Sequence, residues 1–186
     1  TEGKGMNLHQ GGGTTSAPLM SERKVSLIGA MLVAIGPVSM ALYTPAMTEI
    51  VHAFGTTEAA VKMTLSTYFA GFAIAQLFCG PLSDAFGRRP VVIGFMGIYA
   101  IASLIALFSP TIEILILSRF LQGIGAAAGV AVSRAIVRDL FTREQSARIM
   151  NLIGVILSIG PAVSPTIGGL MMELAGWHSI FFLMLG

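Results

Sequence analysis

Pro90-Val91-Val92-Ile93-Gly94-Phe95-Met96-Gly97-Ile98-Tyr99-Ala100-Ile101-Ala102-Ser103-Leu104-Ile105-Ala106-Leu107-Phe108 runs without one charged side chain. A helix crossing ~30 Å of hydrocarbon at ~1.5 Å per residue needs ~20 such residues. The run has that length, and it is continuous. A barrel strand would alternate apolar and polar residues over ~10 positions. Four further runs share the character, over 25–47, 63–82, 112–137 and 149–170. A sixth opens near Trp177 and is incomplete at residue 186. The expected fold is therefore all-α, a polytopic bundle of membrane helices.

Composition agrees. The chain is 54% hydrophobic and 11% charged, against about 25% charged in a soluble domain. That little charge cannot cover a water-exposed surface, so the apolar surface faces the lipid bilayer. The net charge of +2 is no signal for nucleic acid, and no such partner is expected. Cys79 is the only cysteine, which excludes an intrachain disulfide. His9, His52 and His178 are scattered, without the spacing of a metal site. No nucleophile elbow, phosphate loop or zinc-protease motif occurs. Neither an enzyme nor a cofactor is expected.

Residues 1–24 are polar and rich in Gly, Ser and Thr, as in Gly11-Gly12-Gly13-Thr14-Thr15-Ser16. They read as a disordered head, and they lack the compact apolar stretch of a signal peptide. Met6 and Met20 are both candidate starts. The chain opens on Thr1 and stops within Phe181-Phe182-Leu183-Met184-Leu185-Gly186, so it reads as a fragment of a longer protein.

Charge orients the spans. Lys4, Arg23 and Lys24 precede the first span. Arg88 and Arg89 follow the second, and Arg134, Arg138, Arg143 and Arg148 surround the end of the fourth. The other connections hold Glu49, Glu58, Glu113 and Glu173, with Lys62 their only basic residue. Basic residues gather on cytoplasmic loops. The expectation is a head and arginine-rich loops inside, and Trp177 at the outer interface. Thr142-Arg143-Glu144-Gln145 has capping-box spacing, suited to a short cytoplasmic helix.

Within the spans, one charge stands out. Arg119 lies ~7 residues into the fourth run, roughly 10 Å deep. An Arg near a helix centre costs about 2.5–3.5 kcal/mol to insert. Such residues face cavities or partners and mark transport pathways. A structural Arg bonded to neighbouring polar groups is the alternative. Gln122 and Gly123 follow at i+3 and i+4, on the same face. Tyr43, Tyr68, Phe69, Phe72 and Gln76 offer a weakly polar aromatic surface in the first two spans, suited to a lipophilic ligand or to ordinary helix contact. Small residues recur at four-residue spacing, as in Gly125, Gly129 and Ser133, and permit close helix approach. Pro161 and Pro165 each remove a helix hydrogen bond and loosen the fifth span.

Gly80-Pro81-Leu82-Ser83-Asp84-Ala85-Phe86-Gly87-Arg88-Arg89 resembles the signature G-x-L-x-D-x-x-G-R-R/K between spans two and three of the major facilitator superfamily. Arg119-Phe120-Leu121-Gln122-Gly123-Ile124-Gly125-Ala126 is similar to that family's fourth-span R-x-x-Q-G-x-G-A, whose Arg is implicated in proton coupling. Gly154, Gly160, Pro161, Gly168 and Gly169 resemble its fifth-span antiporter motif, with a longer gap and Pro165 inserted. Arg138-Asp139 looks like the family's partner for the loop arginines. Taken together, the chain from about Ser26 looks like the first half of a twelve-span drug:proton antiporter of the Bcr/CflA group.

The resemblance implies a secondary transporter of the bacterial inner membrane that exchanges protons for a small lipophilic drug by alternating access. Its missing partner would be the second six-span half. It implies a cavity lined by or coupled to Arg119, Gln122, Tyr43, Tyr68, Phe72 and Gln76. It implies a cytoplasmic gate of Gly80, Asp84, Gly87, Arg88, Arg89 and Asp139. There is one departure. Where the group carries an Asp in the first span, Met40-Ala41-Leu42-Tyr43-Thr44-Pro45 places Ala41. A nutrient facilitator or symporter on the same fold, and an inactive fragment or membrane scaffold, are the other readings.

Overall fold

A computed structural model describes residues 22–185, apart from the side chains at 22, 23, 140, 156, 160, 161, 175 and 185. Most of the expected head lies outside the described residues, as do the local surroundings of Gly160 and Pro161.

The described chain is helical nearly throughout: α1 (Glu22–Tyr43), a 3-10 turn (Thr44–Ala46), α2 (Met47–Phe54), α3 (Glu58–Phe86), α4 (Arg88–Leu107), α5 (Ile112–Leu140), α6 (Arg143–Ala175) and α7 (His178–Leu185). Among the described residues, five stretches are long and apolar enough to cross a membrane, the first running from α1 through α2. The helices overrun the apolar runs. α3 opens at Glu58 and α1 at Glu22, because charged residues are good helix formers. Apolar length measures the hydrocarbon, and hydrogen bonding measures the helix.

Thr caps open three of them. Thr57 accepts from the Ala60 N–H and Thr111 from the Ile114 N–H. Thr142 and Gln145 form a reciprocal capping box. That box opens the 33-residue α6, not the short separate helix expected there. The backbone stays helical past Thr142 because the apolar run from Ile149 continues it without a break. Between α3 and α4 the turn is a single residue, Gly87, at φ +91°, where glycine alone is unstrained.

α5 is the centre of the bundle, packed on α3, α4 and α1. Its glycines explain this. A Cβ on Gly123 would strike the Tyr68 carbonyl of α3. One on Gly125 would meet Phe95 and Tyr99 of α4, and one on Gly129 the Leu32 carbonyl of α1. Gly71 of α3 answers against the Phe120 carbonyl. Small residues at these contacts let the backbones touch. The pairing is also symmetric. With α1–α2 counted as one span, the spans form two triplets, α1/α2–α3–α4 and α5–α6–α7. α1 packs on α6 as α5 packs on α3, so the first span of each triplet lies on the second of the other. That is the pattern of an inverted repeat.

Trp177 is not a lipid-facing belt residue. It is buried among Tyr43, Ile50, Ile180 and Phe181. Its ring lies 5.2 Å from Phe54 and stacks on His178 at 3.7 Å. The turn at Gly176 directs the ring inward, so it packs on protein rather than lipid.

Candidate functional site

Arg119 is the largest fully buried side chain among the described residues, at 0% exposure. No carboxylate of the described residues reaches it. Its surroundings are two tyrosine faces, one amide and two thioethers. The guanidinium carbon lies 4.3 Å from the Tyr43 ring centroid and 4.7 Å from that of Tyr68. Such cation–π contacts are worth about 2 kcal/mol when desolvated. Nη1 donates to Gln122 Oε1 at 2.6 Å, one turn along α5. Nη2 reaches the Met40 sulfur at 3.4 Å, and Nε has no partner.

The network extends through four helices. Gln122 Nε2 donates to Ser103 Oγ at 2.7 Å, and Ser103 donates to the Tyr99 carbonyl one turn back on α4. The Tyr99 hydroxyl meets Ser39 of α1. Tyr43 shares a 2.8 Å bond with Thr64 of α3. Every contact except the tyrosine faces and sulfurs is a satisfied polar pair, as burial demands. The sequence had singled out Tyr43, Tyr68, Arg119 and Gln122, and the fold brings these four together. Ser39, Met40, Thr64, Tyr99, Ser103 and Met184 were missed. Ser103 carried a readable signal: it sits four residues after Tyr99, one polar face in an otherwise apolar span.

Beside this network lies an open-sided cavity of about 320 Å³ between α1 and α3, lined by Gly36, Pro37, Met40, Tyr68, Phe69 and Phe72, with Pro37 and Phe69 exposed at its mouth. Phe72 is thus a wall residue. Gln76 is half-buried one turn farther along α3 and is not among the lining residues. Met40 and Tyr68 belong both to the cavity wall and to the Arg119 surroundings.

At the arginine-rich end, Arg88 clamps two helices. Its Nη2 lies 2.9 Å from Asp84 of α3 and 2.9 Å from Asp139 of α5, and Nη1 donates to Ser83 at 2.7 Å. Arg138 lies 3.9 Å from Asp139. Arg89 is exposed and makes no ion pair among the described residues. Gly87 turns the chain so that Arg88 points back at Asp84, while Gly80 has open space around it. Of the fifth-span residues, Gly168 packs tightly on Leu42 of α1 and Pro45 of the following 3-10 turn, whereas Gly154 and Gly169 face open space.

Residues 26–186 match the Major Facilitator Superfamily. The chain is 31% identical over 166 residues to Multidrug resistance protein D of Escherichia coli (strain K12), covering 88% of this chain and 42% of that protein. It is 38% identical over 154 residues to a Chloramphenicol resistance protein of Pseudomonas aeruginosa, covering 82% and 37%. A Bicyclomycin resistance protein homolog of Haemophilus influenzae (strain ATCC 51907 / DSM 11121 / KW20 / Rd) is 32% identical, covering 80% and 37%. The chain thus spans about two-fifths of the length of these curated relatives. Among solved structures, the human organic anion transporter MFSD10 (TETRAN) superposes with a TM-score of 0.65 at 21% identity, over 89% of this chain and 47% of that one. That likeness concerns the fold alone. Five membrane-length helices, a buried cationic network and a matched span of 26–186 lead to one conclusion: this chain belongs to the Major Facilitator Superfamily.

Proposed function

We propose that this chain is the first half of a secondary active transporter of the Bcr/CflA type, which expels lipophilic drugs in exchange for protons. The observation that carries this reading is Arg119, a fully buried cation adjoining an aromatic cleft between α1 and α3. A buried charge held at such cost marks a pathway for substrate or proton. The names of the relatives, which concern multidrug, chloramphenicol and bicyclomycin resistance, support drugs as the cargo.

In this reading the second half of the transporter closes the cavity, and the two halves rock to alternate access. Arg88, Asp84 and Asp139 hold the arginine-rich end in one of the two states. Arg119 and Gln122 couple proton movement to substrate. The protein resides in the bacterial inner membrane with its arginine-rich loops in the cytoplasm, as the distribution of basic residues supports.

The test is drug-driven proton movement in vesicles holding the full-length protein. Adding drug should collapse an imposed pH gradient, and Arg119→Ala should abolish that collapse. Unchanged exchange in the variant would remove Arg119 from the mechanism. Drug uptake that proceeds with no proton counterflow would favour a facilitator.

A further inference from the structure

Arg119 is short of acceptors. A guanidinium carries five N–H donors. Here one strong acceptor, Gln122 Oε1, serves Nη1. Apart from the Tyr43 and Tyr68 ring faces, Nη2 has only the Met40 thioether at 3.4 Å, the Met184 sulfur stands 4.0 Å from Nη1, and Nε has no hydrogen-bond acceptor. Thioether sulfur is a weak acceptor. Buried donors left this poorly paired favour any stronger acceptor that arrives.

Met40 is placed to admit one. It covers Nη2 on one side and lines the aromatic cavity on the other. Its unbranched chain has three rotatable bonds, so a change of rotamer moves the sulfur without moving the helix. Behind it lie Tyr68, Phe69 and Phe72, ring surface suited to an aromatic body. No described carboxylate pairs with Arg119, and position 41, one residue from the cover, is alanine. A cation entering here meets a like charge and no counter-charge.

We infer that Met40 is a displaceable cover over Arg119, and that the ligand of this site is a lipophilic aromatic molecule bearing an oxyanion. The oxyanion takes over the Nη2 and Nε donors when Met40 swings aside, and the rings of the ligand pack on Phe69 and Phe72. This rests on the transport reading of the same site and adds the charge of its substrate.

The test is equilibrium binding by the full-length protein in lipid nanodiscs, with no ion gradient. The probes are 2-naphthalenesulfonate and 2-naphthyltrimethylammonium, which share a ring system and carry opposite charges. The sulfonate should bind about tenfold tighter or more, the worth of one charge-assisted bond. Arg119→Gln should erase the difference. Met40→Leu keeps the volume and removes the sulfur acceptor, so it should tighten the sulfonate about threefold and leave the ammonium unchanged. Equal affinities in the unaltered protein, or tighter ammonium binding, would overturn the charge assignment. A sulfonate affinity unmoved by Met40→Leu would overturn the cover. Should Arg119→Gln fail to fold, these two comparisons still decide. Vesicles without proton exchange but with the sulfonate preference would sink the transport reading and leave the anion site standing. The opposite result would sink the anion site alone.

Discussion

Gly123 of α5 lies against the Tyr68 carbonyl of α3 so closely that no Cβ fits between them. The contact does two things. It brings α3 and α5 into backbone contact, and it holds the Tyr68 ring over Arg119, one turn before Gly123 on α5. Gly123→Ala should therefore cost stability through overpacking, about 1–3 kcal/mol. Thermal melting of the detergent-solubilised protein would show a lowered Tm. Gly94→Ala is the control, because nothing lies within 4 Å of a Cβ there, and its Tm should not fall. Equal behaviour of the two variants would deny the contact.

Tyr43 contributes a ring face to Arg119 and a hydroxyl to Thr64. Substitution separates the two. Tyr43→Phe keeps the face and leaves the Thr64 hydroxyl bonded to the Val61 carbonyl. It should cost about 1 kcal/mol and keep most transport. Tyr43→Leu removes the face from a desolvated cation and should lower transport about tenfold or more. Transport rates ordered the other way would show that the hydroxyl, not the ring, is what matters.

Gln122 is the one strong acceptor of Arg119 and also the donor to Ser103. Gln122→Leu leaves a buried guanidinium without any oxygen acceptor and should destabilise by about 2–3 kcal/mol. Gln122→Glu supplies a carboxylate instead. It should fold and flatten the preference for the naphthalene anion over the cation. An anion preference undiminished in Gln122→Glu would mean that the charge of Arg119 does not set it.

The Arg88 clamp is partly exposed, so its contribution to stability is small, about 0.2–1 kcal/mol. Its effect should fall on conformational balance. Asp139→Asn should slow transport several-fold while substrate affinity stays within a few-fold. Reversal of the pair, Arg88→Asp with Asp139→Arg, should restore part of the rate, although Asp84 then faces a like charge at position 88. A transport-normal Asp139→Asn would reduce the clamp to a folding contact.

The membrane helices were legible because apolar length is a one-dimensional property. Arg119 and Gln122 were legible for a related reason: polar residues three apart in an apolar run must share a face. Their surroundings were not. Met40 has no polar mark in the sequence, and its importance comes from α1 and α5 lying side by side. Trp177 shows a different limit. Its chemistry suits an interface, yet a left-handed Gly176 at φ +71° turns it into the core. The two arginines of the loop looked equivalent in sequence. The turn at Gly87 gives only Arg88 the reach to α5.

Two helices of this bundle are rich in glycine, and they differ mechanically. On α5, Gly123, Gly125 and Gly129 are each filled by a neighbouring chain, so that helix is a keel that cannot flex without parting from three others. On α6, among the described glycines, a Cβ on Gly154 or Gly169 would meet nothing, while Gly168 is pressed against Leu42 of α1. The same residue type thus supplies rigidity in one place and compliance in another. Bending of the bundle should therefore fall to α6 and leave Arg119 fixed on α5.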